Sequence, residues 1–218
     1  MSTLNQSPLA PLLDTLFAEA EAATSPALAQ LPRTERERLM QSKTEYRDFY
    51  GLLKDLWLPV SRQTGDLLYI LTRGTAARHI VEFGTSFGIS TLYLAAGLRD
   101  NGGGRVISSE FEPQKVARAR RNMMDGGVSD LVEIREGDAL ETLKDNLPDS
   151  IDLLVLDGAK SLYTEILALV EPRLRPGALI LADDADFCPE YLARVRAPKG
   201  GYMSVSLSQD IELSMRVA

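Results

Sequence analysis

The spacing of hydrophobic positions changes character about a third of the way along the chain. Leu9, Leu12, Leu13, Leu16 and Phe17 recur at i, i+3, i+4, i+7 and i+8, the stripe that one face of an amphipathic helix presents. Pro26 and Pro32 interrupt this pattern, and a charge-rich stretch over 34–57 predicts a second helix that Pro59 ends. A third helix is predicted over 62–72. Its Leu67, Leu68 and Leu71 share one apolar side with Ile70 beside them, and Gly74 closes it.

From His79 onward, strands alternate with helices. Strands are predicted over 79–83, 105–109, 131–135, 151–156 and 178–182, and helices over 90–98, 113–124, 139–146 and 163–170. The run 151–156 is apolar apart from Asp152, as a strand covered on both faces requires. Strands separated by helical stretches imply βαβ units, and right-handed crossovers then leave a Rossmann-like, doubly wound α/β sheet. Residues 202–207 and 211–217 both alternate apolar and polar with a short gap between them. That is a hairpin, so the seven-stranded, mostly parallel sheet should finish with an antiparallel strand.

At 218 residues the chain suits one domain. Residues 1–58 read as a helical extension or cap, and 59–218 as the core. The net charge of −7 argues against nucleic acid, whose phosphates recruit clustered Lys and Arg. Arg118, Arg120 and Arg121 are a local exception, read as a solvated helix face. With Cys188 alone there is no intrachain disulfide, no apolar run reaches the roughly 18 residues of a membrane span, and the N-terminus lacks signal-peptide order. A cytoplasmic protein is therefore expected. Cys188 and the sole histidine, His79, read as structural.

The chemistry concentrates where strands end. Gly84-Thr85-Ser86-Phe87-Gly88-Ile89-Ser90 lies between the first strand and its helix. Glycines there let a ligand approach the main chain, and the free N–H groups of the helix start face an anionic end. A dinucleotide fingerprint would need glycines where Ser86 and Ile89 stand, so E-x-G-x-x-x-G describes the loop better. Glu110 closes the second strand, where a carboxylate accepts ribose hydroxyls, with Phe111 after it. Asp138 and Ala139 follow the third strand. Asp157 and the pair Asp183-Asp184 follow the fourth and fifth. Like charges gathered at one sheet edge are costly without a cation, and hard oxygen ligands suit Mg2+ or Ca2+. Helix capping is the alternative use of such aspartates.

These residues resemble the class I methyltransferases, and over about 58–218 specifically the metal-dependent catechol and caffeoyl-coenzyme A O-methyltransferases. The resemblance rests on the glycine loop and on D-x-x-K-x-x-Y, matched by Asp157, Lys160 and Tyr163. It departs at the second metal pair, Asp-Asn in the family and Asp183-Asp184 here. It implies that Val60, Glu82, Gly84, Thr85, Ser90, Glu110, Phe111, Asp138, Ala139 and Asp157 line an S-adenosylmethionine site. It further implies that Asp157, Asp183 and Asp184 hold Mg2+ and that Lys160 accepts a proton if burial depresses its pKa. The implied acceptor is a small catechol-like or polyphenolic molecule. Metal-independent O- or N-methyl transfer, a nicotinamide oxidoreductase and a non-catalytic cofactor module stay open as other readings. The stripe from Leu9 to Phe17 would pack either in a homodimer or on the domain's own sheet.

Overall fold

The computed structural model describes residues 2–217, the side chains of 26 and 27 excepted. Helices α1 (Leu9–Ala22), α2 (Pro26–Gln30), α3 (Arg33–Met40), α4 (Tyr46–Leu52) and α5 (Arg62–Gly74) precede β1 (His79–Phe83). Then follow α6 (Ile89–Asp100), β2 (Arg105–Glu110), α7 (Pro113–Asp125), β3 (Val132–Glu136), α8 (Ala139–Thr142) and β4 (Ile151–Leu156). The chain closes with α9 (Tyr163–Val170), β5 (Leu174–Ala182), α10 (Pro189–Val195), β6 (Tyr202–Ser206) and β7 (Glu212–Arg216).

One seven-stranded sheet has the order β3-β2-β1-β4-β5-β7-β6. β1 to β5 pair in parallel, β7 runs antiparallel to β5, and β6 antiparallel to β7. This is the doubly wound sheet the alternation implied. Its order reverses between β1 and β4, the switch point where open α/β sheets bind ligands. There the Asp157 N–H donates to Phe83 O at 2.9 Å, tying the two strand ends together.

Period-two alternation sends neighbouring strand residues into different layers. Ile80, Leu153, Val155 and Leu181 pack in one cluster with α1, α5, α6 and α7, whereas Val81, Phe83, Leu154, Leu156 and Ile180 meet α9 and α10. Within α6, every residue from Ile89 to Leu98 is buried, as a helix covered on all sides must be apolar around its circumference. Burying each of its leucines contributes about 1.5–3 kcal/mol. Leu9, Leu13, Leu16 and Phe17 are buried in that same cluster, so the N-terminal stripe covers the domain's own fold. A smaller cluster of Leu39, Phe49 and Leu53 joins α3 to α4 above the sheet's C-terminal edge. No helix among the described residues is long and apolar enough to cross a membrane.

Several boundaries differ from the sequence expectation. The helix expected over 34–57 is two helices, α3 and α4, because Ser42 Oγ accepts the Glu45 N–H at 3.0 Å and turns the chain between them. Residues 53–60 run outside α4 as a strap. The helix expected to reach 146 ends at Thr142, with Asn146 left-handed (φ 57°). α5 includes Gly74, and the left-handed residue after it is Ala76 (φ 51°). α10, which the hydrophobic pattern did not announce, starts at Pro189.

His79 and Cys188, read as structural from the sequence, both make contacts to the backbone. His79 Nδ1 lies 3.0 Å from Ser150 O at the sheet's opposite edge, and buried Cys188 donates to Lys160 O at 3.1 Å.

Candidate active site

The glycine loop is held from below. Glu82 points from β1 into the α6 layer, fully buried, and takes hydroxyls from Ser90 (2.6 Å), Thr91 (2.5 Å) and Ser108 (2.6 Å). Burial pushes its carboxyl up while the three donors pull it down; burial prevails. Thr85 Oγ1 meets Ser108 Oγ at 2.5 Å, extending the network. Glu82 and Thr91 thus shape the loop from behind, and Ser90 joins that network while also lining the small pocket described below. Gly84 has φ +105° and Gly88 has φ +88°, backbone that side chains rarely adopt.

Glu110 closes β2 with its Oε2 accepting the Ser86 N–H at 2.8 Å and its Oε1 the Glu112 N–H at 3.0 Å. Burial raises this carboxyl too, against those backbone donors. It lines a cavity together with Gly84, Phe111, Asp138, Ala139 and Asp157. A smaller pocket beside it runs under Val60 to Thr85 and Ser90. The sequence-predicted cofactor residues therefore converge on one continuous stretch of the sheet edge, with Glu82 beneath it.

Two observations fit an adenosyl cofactor there. Ser86 Oγ, which borders both spaces, is buried without a hydrogen-bond partner. Lys115 is only 5% exposed, lines the larger cavity, and has no hydrogen bond or ion pair among the described residues; its ammonium sits 5.4 Å over the Phe87 ring. Burial lowers its pKa, with Glu110 and Glu112 resisting. Lys115 escaped sequence reading because a lysine on an otherwise amphipathic helix looks solvated.

Asp138 is less open than expected. It caps α8 through the Leu140 N–H (3.0 Å) and receives the Tyr46 hydroxyl (2.6 Å) and the Arg47 guanidinium. The N-terminal helix α4 is thereby latched to the far end of the cavity that Glu110 lines. Trp57 of the strap stacks on Phe87 at 4.2 Å, over the glycine loop.

The acids converge. Asp157, Asp183 and Asp184 each offer a carboxylate oxygen, all within 4.8 Å of one another. Asp184 is left-handed (φ 51°), a conformation that Asp and Asn both tolerate, so Asp can stand where the resembled family has Asn. Lys160 Nζ is 2.9 Å from Asp157 Oδ1, 3.1 Å from Asp184 Oδ2 and 3.0 Å from the Tyr163 hydroxyl, which donates to Asp183 O at 2.7 Å. Burial pushes Asp183 up to about 7, with the Asp157 charge adding to it. Burial would lower Lys160, but the carboxylates of Asp157 and Asp184 beside it outweigh it and hold the ammonium well above its usual value. In the cluster as it stands, Lys160 is a cation, not the depressed amine that the sequence reading asked for. Clustered hard oxygens suit a divalent cation such as Mg2+, and these three carboxylates fit one.

A second cavity, about 800 Å³, lies above this cluster. Asp157, Asp183, Asp184 and Lys160 lie in its lining, and α3, α4, α5 and the β6–β7 turn supply further walls. Asp157, Gly158, Tyr50 and Leu58 line both this cavity and the one that Glu110 lines, so the two spaces meet at Asp157.

A methyltransferase-domain family model matches residues 81–185. Over 130 residues the chain is 34% identical to a catechol O-methyltransferase of Niastella koreensis, covering 58% of this chain and 58% of that protein. The chain thus spans less than two thirds of that relative's length. A catechol O-methyltransferase B of Danio rerio is 32% identical over 179 residues, covering 77% of this chain and 67% of the relative. The O-methyltransferase of Bacillus cereus solved in complex with S-adenosylhomocysteine (SAH) shares the fold, with TM-score 0.69 and 22% identity over 94% of this chain and 100% of that one.

Proposed function

The chain belongs to the catechol-type family of S-adenosylmethionine-dependent O-methyltransferases, and on that premise we propose that it methylates a hydroxyl of a small catechol-like or polyphenolic acceptor. The observation that carries the reading is the position of Asp157, on the wall shared by the cavity with the cofactor residues and the cavity above the acids. A donor in the first and an acceptor in the second would meet there. The reaction is an in-line displacement: the oxygen bonds to the methyl carbon, the carbon–sulfur bond breaks to leave a neutral thioether, and the hydroxyl proton departs.

In this reading Gly84, Thr85, Ser86 and Ser90 cradle the methionine end beneath Val60. Glu110 accepts ribose hydroxyls with Phe111 beside it, and Asp138 and Ala139 border the adenine. Asp157, Asp183 and Asp184 would hold Mg2+ or another divalent cation, which when bound supplies Lewis acidity to the acceptor oxygen. Lys160, held by Asp157, Asp184 and Tyr163, stands beside the shared wall, where a lysine in its neutral form would take the hydroxyl proton.

Labelled-methyl transfer from S-adenosylmethionine to a panel of phenols, with and without a chelator, tests this. Turnover that the chelator stops and Mg2+ restores is the expected result. Turnover indifferent to chelation would favour metal-independent transfer, and no transfer to any phenol would overturn the reading.

A further inference from the structure

The cavity above the acids is larger than a catechol needs. Enclosed sites for drug-sized molecules occupy roughly 300–1,000 Å³; this one, at about 800 Å³, lies in the upper part of that range, well beyond what a single catechol ring fills, and it meets the space lined by the cofactor residues only at Asp157 and its neighbours. Its lining is also divided in character. Leu28, Met40, Phe49, Leu53 and Leu56 all line it and belong to one contiguous apolar cluster on α2, α3, α4 and the strap. Two further lining residues, Leu58 and Leu207, remain 40% and 46% exposed, apolar surface left facing open space. Arg36, Gln63 and Ser208 are in the lining as well, so the apolar side chains make up part of it and not the whole. The carboxylates, by contrast, lie together at the ends of β4 and β5.

We propose that the preferred acceptor is amphipathic: an ortho-dihydroxylated ring bearing an apolar extension of several carbons. This rests on the function proposed above and names its acceptor class. The hydroxyls have to reach the acids, because that is where the donor cavity opens. An apolar extension on the ring then has the leucine-lined region of the same cavity in which to shed water. A free catechol would satisfy the acids and leave that region wet, and a wholly polar acceptor would bury its groups against unmatched leucines.

The experiment is a series of 4-n-alkylcatechols, from unsubstituted catechol to the hexyl compound, assayed for kcat/KM with S-adenosylmethionine and Mg2+. Full burial of each methylene is worth about fourfold, so a rise of at least tenfold across the series is expected. Leu207→Gln and Leu56→Gln should each lower the hexyl-to-catechol ratio at least threefold. A flat or falling series, with catechol itself turned over, overturns the inference and leaves the methyltransferase reading intact. Absence of turnover throughout overturns that reading and the inference with it.

Discussion

A Cβ placed on Gly84 would lie 2.4 Å from the carbonyl oxygen of Asp157. The loop that would hold the cofactor and the strand end that would hold the metal are therefore packed backbone to backbone, with no room for a methyl group. Gly84→Val combines that clash with a φ of +105° that valine disfavours. A loss of about 2–4 kcal/mol in stability and of at least tenfold in SAH affinity is expected, read by thermal melting and calorimetry. Unchanged affinity would count against the loop assignment.

Asp157→Ala should reduce methyl transfer at least a hundredfold while SAH binding changes only a few-fold. The substitution also removes one of two carboxylates that pair with buried Lys160, which costs stability on the order of 1–3 kcal/mol. Isothermal calorimetry with Mg2+ supplies the second readout: binding seen in the parent should vanish. Full activity in the variant would remove the metal-site proposal.

Lys115→Met separates stability from function. Replacing a buried cation that has no hydrogen bond or ion pair among the described residues by an apolar chain of similar length should leave the melting temperature unchanged or raise it. If the ammonium serves the cofactor, SAH affinity falls about tenfold in the same variant. Equal affinity would make Lys115 a bystander.

The latch on Asp138 predicts a pH effect. Burial pushes this carboxyl up, but the Tyr46 hydroxyl, the Leu140 N–H and Arg47 outweigh it and hold the group below its usual value. A depressed carboxylate contributes stability above its unfolded pKa of roughly 4 and loses it as pH falls through the lower folded value. Tyr46→Phe should therefore cost about 1–2 kcal/mol at pH 7, with the gap from the parent closing toward pH 3. A gap constant over that range would show that the carboxylate's charge is not what the tyrosine senses.

Much of the sheet and of the site was legible because their signals are local. Strand–helix alternation marks β1 to β5, Gly84 and Gly88 sit between a strand and a helix, and Asp138, Asp157, Asp183 and Asp184 each lie within two residues of a strand's end. Their convergence follows from parallel strands ending at the same edge. What stayed hidden depends on distance in sequence. Tyr46 reaches Asp138 across 92 positions and Trp57 stacks on Phe87, and neither pairing leaves a periodic trace. The break between α3 and α4 was missed because charged residues suit a continuous helix as well as two short ones. There the Ser42 turn competes successfully with helix hydrogen bonds. The sign of the Lys160 shift was equally out of reach, since it depends on which carboxylates lie within 3.1 Å.

Helix α4 borders both cavities at once. Its Tyr46 and Arg47 grip Asp138 beside one chamber, while Phe49 and Tyr50, one turn further on, form the ceiling of the other. Because one seven-residue helix carries both sets of contacts, a displacement of α4 at one chamber would be felt at the other, and steady-state kinetics are expected to record an ordered sequence in which the nucleoside partner settles before its companion arrives.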